Sequence, residues 1–148
     1  MLALVLALLF LDPTAPPAAT ETALILNSGS TNTSSFTIAV SHNGSIDIGM
    51  RGSVTKQSVP RKLARRLFAD IARAGSLATL PAGHCMRSAS FGTTTTIVYN
   101  GETSPDLTCP QSENERALAA DANAIVDAAK LDTQTHKRSV LPGTRVPL

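Results

Sequence analysis

The chain has 148 residues, 13 Lys and Arg against 11 Asp and Glu, 43% hydrophobic residues and two cysteines. This length suits one domain with one small core, and the near-neutral charge with no Trp and one Tyr argues against a base-stacking nucleic-acid binder. The sequence holds no C-x-x-C, H-x-x-x-H, calcium loop or G-x-S-x-G elbow, so no metal, cofactor or hydrolase chemistry is written in a recognisable motif.

Leu2 to Leu11 form an apolar block about half the roughly 20 residues needed to cross a bilayer, followed by small residues and prolines up to Thr20. This resembles the hydrophobic and cleavage regions of a secretory signal, although no basic residue precedes Asp12. Residues 1–20 are therefore expected to be a signal peptide, with the cut near Ala19 or Thr20, and the mature protein to be secreted or periplasmic. In an oxidising compartment Cys85 and Cys109 are expected to form a disulfide.

The first strand is expected in Ala23–Asn27, before the turn-rich SGSTNTSS. Phe36, Ile38 and Val40 alternate on one face, and after His42-Asn43-Gly44 the alternation resumes with Ile46 and Ile48, the pattern of an antiparallel hairpin. The segment Gly49–Ser58 reads as the bend or end of the third strand. A helix follows over about Val59–Ala74, with Ser58 as its cap, Pro60 in its first turn and Gly75 past its end. Leu63, Ala64, Leu67, Phe68, Ile71 and Ala74 share its apolar arc, with Arg61, Lys62, Arg65, Arg66 and Arg73 opposite.

Phe91 to Tyr99 is β-branched with period two, and Asn100-Gly101 ends it as a turn. A short last strand is expected between Gly101 and Thr108. Ser112-Glu113-Asn114-Glu115 is a capping box that opens a second helix running to about Lys130, with Leu118, Ala122, Ile125, Val126 and Ala129 as its apolar stripe. Residues 132–148 have no period and are expected to be an irregular or disordered tail.

The fold expected is α+β in the order βββαββα: an antiparallel sheet of four to five strands, two helices on one face and one disulfide, filling residues 21–131. Three features are candidates for function. Cys85 beside His84 could be a nucleophile, but adjacent side chains diverge in an extended chain and a second cysteine makes the staple the better reading. Arg61, Lys62, Arg65, Arg66 and Arg73 could face an anionic partner, or could complement the seven acids between Glu102 and Asp132. Ser104, Pro105, Asp106 and Leu107 form a proline-stiffened return that could carry recognition, or could fix the path into the second helix. The function expected is a small exported binding or accessory protein without catalytic activity, with an unidentified protein or envelope component as partner. The alternative is a hydrolase or other enzyme whose site is assembled from residues distant in sequence.

Overall fold

The computed structural model describes residues 21–88 and 90–131; the expected signal peptide and tail lie outside them. Six strands, β1 (Thr22–Asn27), β2 (Phe36–Ser41), β3 (Ser45–Met50), β4 (Ser53–Ser58), β5 (Thr95–Tyr99) and β6 (Glu102–Thr103), form one antiparallel sheet. Helices α1 (Arg61–Ala74) and α2 (Glu113–Ala129) follow β4 and β6. The spatial order is β4-β3-β2-β1-β5-β6, so the chain runs as a meander from β1 to β4, crosses over through α1, and lays β5 against the free edge of β1.

Register sets the core. Ile25 pairs with Ile38 on one side and Ile97 on the other, and Ile38 pairs with Ile48; because side chains alternate, this row points to one face together with Ala23, Val40 and Ile46. Both helices cover that face. From α1 come Ala64, Leu67, Phe68 and Ile71, and from α2 come Leu118, Ala122, Ile125 and Ala129, all buried. At about 1.5–3 kcal/mol for each large side chain, this layer is the main source of stability.

The α+β class and the helices on one face agree with the sequence, but among the described residues the order is ββββαββα and the strand count is six. The extra strand is β4, inside the segment read as a bend. Arg51 and Gly52 both have positive φ (52° and 76°), which makes a tight two-residue hairpin turn at the end of β3. All six residues of β4 are exposed, so no buried face imposed an alternation on its sequence.

Two boundaries also move. Ser58 ends β4 and does not cap α1; Pro60 holds the N-cap position without any side-chain hydrogen bond, and its carbonyl accepts from the Leu63 N–H at 2.9 Å. The long strand begins at Thr95, not Phe91, which is 65% exposed. Gly92 closes a turn there by donating to the Ser88 carbonyl. The capping box forms as expected: Ser112 Oγ accepts from the Glu115 N–H, and Glu115 Oε2 accepts from the Ser112 N–H at 2.8 Å.

Candidate functional site

Cys85 and Cys109 are bonded, with Cα atoms 6.0 Å apart, inside the unstrained range of about 4.4–6.8 Å. The bond fastens the exposed segment 81–88 to the stretch leading into α2. Arg87 pairs with Asp106 close by, so the segment is held twice to the same place. His84 stands in the exposed chain beside a cysteine already oxidised, which removes the thiolate that nucleophilic chemistry would need.

The Ser104–Leu107 return is largely occupied by its own fold. Ser104 is buried, its N–H donates to the Ile97 carbonyl and its Oγ accepts from the Ile97 N–H at 3.0 Å. The Leu107 N–H donates to the Thr95 carbonyl and its side chain joins the core. Asp106 Oδ1 accepts from the Thr95 and Thr108 N–H groups. The return thus continues the hydrogen bonding of β5 beyond the short β6, and only Pro105 and Asp106 are partly accessible. Desolvation raises the pKa of Asp106, but the Thr108 hydroxyl and N–H, the Thr95 N–H and the Arg87 charge outweigh it and hold the carboxyl below its ordinary value.

The five cations of α1 divide into two groups. Arg66 pairs with Asp121 of α2, and Arg73 pairs with Asp70 within α1. Arg61, Lys62 and Arg65 are exposed, and no ion pair joins them to a carboxylate among the described residues. Asp121 and Asp70 are both buried, at 2% and 8% side-chain exposure. Burial pushes Asp121 up to about 6; the Arg66 hydrogen bond and charge work against the rise, and Asp70 adds to it. Arg66, Asp70 and Arg73 stand at i, i+4 and i+7 on one stripe of α1, a spacing that allows ion pairs along the helix but does not mark the stripe as buried.

A second polar group gathers at one end of the sheet, where β1 starts and β2 and β5 finish. Glu21 accepts from the Tyr99 hydroxyl at 2.8 Å and lies 3.5 Å from His42 Nε2. His42 stacks on Phe68 with ring centroids 3.5 Å apart, and Phe68 meets Tyr99 edge to face. The Glu21 hydrogen bond raises the Tyr99 pKa, which leaves the phenol protonated and a donor. Glu21 and His42 are more than half exposed, so this cluster ties the ends of three strands to α1 at the surface.

Among the described residues, nothing packs over the face of the sheet away from the helices. Leu24, Ala39 and Val98 lie side by side across β1, β2 and β5, with Leu26, Thr37 and Thr96 in the adjacent row, all half-buried. At the β2–β3 side the row continues to Asp47 and Lys56, paired at 3.5 Å. A shallow depression of about 690 Å³ opens at one end of this face, lined by Leu26, Thr37, Gly49, Val54 and Thr96 among others, and Arg51 is its one ionisable lining residue. Among the described residues no group of three or more His, Cys, Asp or Glu is placed to hold a metal ion, and no helix is long and apolar enough to cross a membrane. Compared with protein-family models, curated proteins and solved structures, the chain matches none.

Proposed function

We propose that this is a small exported binding protein without catalytic activity, and that it acts through the open face of its sheet. The observation that carries the reading is the apolar centre of that face, Leu24, Leu26, Ala39 and Val98, which no other part of the described chain covers. Four strands of six residues, one of five and one of two span on the order of 500 Å² of sheet, of which the apolar centre is a part, below one side of a standard protein interface, about 800 Å². A shallow, aromatic-poor surface of this kind suits another protein better than a small ligand, which would need an enclosed pocket. Apart from Arg51 and Asn27 the depression is lined by hydroxyl, glycine and apolar side chains, with no carboxylate or histidine beside the cation, which favours binding over the alternative of an enzyme. The disulfide is in keeping with export.

The test pairs two substitutions that sit directly opposite each other, Leu24→Glu and Val98→Lys, so that the new charges complement each other and spare the fold. Binding partners captured from the extracellular or envelope fraction by the immobilised wild-type protein would be purified and titrated against both forms. A loss of at least about tenfold in affinity is expected, with no loss for the Arg61→Ala, Lys62→Ala, Arg65→Ala variant. Unchanged affinity of the sheet variant, with loss in the α1 variant, would move the site to the cationic face of α1.

A further inference from the structure

We infer that two copies of this chain pair through β4, edge to edge and antiparallel, into one continuous sheet with six strands from each copy. The two edges of the sheet are unequal. At one, β6 is two residues long, and the Glu102 carboxylate accepts from the Leu77 N–H at 2.7 Å, which holds the turn Leu77–Thr79 beside it. At the other, β4 runs for six residues, all exposed, with Val54 at 71%. The ladder between β3 and β4 fixes which backbone groups look outward. The two-residue turn makes Met50 and Ser53 a hydrogen-bonded pair, and the Val59 N–H donates to the Gly44 carbonyl at 2.9 Å. Bonded pairs alternate along an antiparallel ladder, so Ile48 with Thr55 and Ile46 with Gln57 are the bonded pairs between these two anchors. The N–H and C=O groups of Val54, Lys56 and Ser58 therefore point away from β3, and among the described residues nothing meets them.

A second copy is the occupant because self-pairing closes the sheet. A single strand from another protein would cover β4 and present a new edge of its own, whereas two β4 strands cover each other and leave the short, guarded β6 at both ends. The strand also fits itself. A twofold axis normal to the sheet keeps the helix layers of both copies on one side, so residues that share a face must meet. With Thr55 on the axis, Val54 meets Lys56 of the second copy in a bonded pair, twice by symmetry, and Ser53 meets Gln57. The aliphatic stem of Lys56 then lies over the exposed Val54. The register with Lys56 on the axis sets like charges directly opposite and is disfavoured. The helix layer leaves room for the contact: Ser53, Thr55 and Gln57 face its side yet stay exposed, around a depression of about 150 Å³ bordered by Leu131. Joined in this way, the two open faces span on the order of 1,000 Å², above the roughly 800 Å² of one side of a standard interface. That gain matters only if the open face is the binding surface; the pairing itself stands on β4 alone.

The experiment uses the intact disulfide-bonded protein. Sedimentation from about 1 μM to about 1 mM should show the mass rise from one chain to two. Lys56→Pro removes an outward N–H and spares the bonds to β3, so it should keep the wild-type circular dichroism and weaken dimerisation at least about tenfold. Amide hydrogen exchange reads the contact in the wild-type protein and stands even where the variant fails to fold. The Val54 and Lys56 amides should gain protection as concentration rises, while those of Thr55 and Gln57, bonded to β3, are protected throughout. The Leu24→Glu, Val98→Lys protein should dimerise like wild type, since both positions lie at least two strands from β4, and this separates the pairing from the role given to the open face. A protein that stays monomeric over the whole range, a dimer that Lys56→Pro leaves intact, or a dimer lost with Leu24→Glu, Val98→Lys overturns the pairing. Val54 and Lys56 amides already protected in the monomer overturn it too, because the chain itself would then cover the edge.

Discussion

Reducing the Cys85–Cys109 bond should lower the stability of the domain by about 3–3.5 kcal/mol, a large part of the roughly 5–15 kcal/mol typical of a whole domain. The figure follows from the sequence separation of 24, which sets the loop-closure entropy that the bond removes from the unfolded chain. It applies in full only if the native segment keeps its position after reduction. Arg87 paired with Asp106, the Asn32 N–H donating to the Ser90 carbonyl and the Gly92 turn supply that hold. The penalty should therefore appear in the unfolded state. Urea unfolding with and without reductant measures it, and the reduced protein should show a lower midpoint and an equal or larger dependence on denaturant, since its unfolded chain is more open. Reduction is preferable to substitution because Cys109 is buried and its replacement would add a packing defect. A loss below about 1 kcal/mol, or two thiols that alkylate freely before any reductant is added, would refute the staple.

Asp106 should give the opposite pH dependence to Asp121. Its folded-state pKa lies below 3.8, so its contribution is complete above that value and disappears as pH falls through the lower folded one. In Asp106→Asn the extra acid sensitivity below about pH 4 should vanish in thermal melts; a variant with an unchanged acid limb would remove the role given to its hydrogen bonds. Leu67→Asp should leave no folded protein, because Leu67 is fully buried between α1 and the sheet and an unpaired carboxylate there would cost more than the domain can lose. A cooperative melt with wild-type circular dichroism would contradict the core assignment.

How far the sequence discloses this fold depends on whether burial has left a mark on it. Ile25, Ile38, Ile46, Ile48 and Ile97 alternate because one face is packed, and those strands are legible. Strand β4 is exposed on both faces and has nothing to alternate for, while its turn uses Arg51-Gly52 in place of the Asn-Gly that marks the β5–β6 turn. The helices are legible from their apolar stripes and the Ser112 capping box, but Asp70, Glu115 and Asp121 are polar residues at buried positions, and a rule that assigns acids to the solvent side places all three wrongly. Glu115 is buried because it closes the cap. The open sheet face was hidden for another reason: Leu24, Leu26 and Val98 look like ordinary strand hydrophobics until the position of both helices on the other side is known.

The position of β1 has a consequence for the order in which this domain can be completed. The strand nearest the start of the described chain lies inside the sheet, paired with β2 through a short connection and with β5 across about seventy residues. Strands β1 to β4 need only neighbours in sequence and can zip as a meander as they emerge, which is the fast, local part of the topology. Until Thr95–Tyr99 arrives, the outer edge of β1 has no partner, and the backbone groups of Leu24 and Leu26 that later meet Val98 and Thr96 remain open to any passing strand. A chain halted before β5 thus carries four of its six strands and has a sticky edge where the finished protein has its centre.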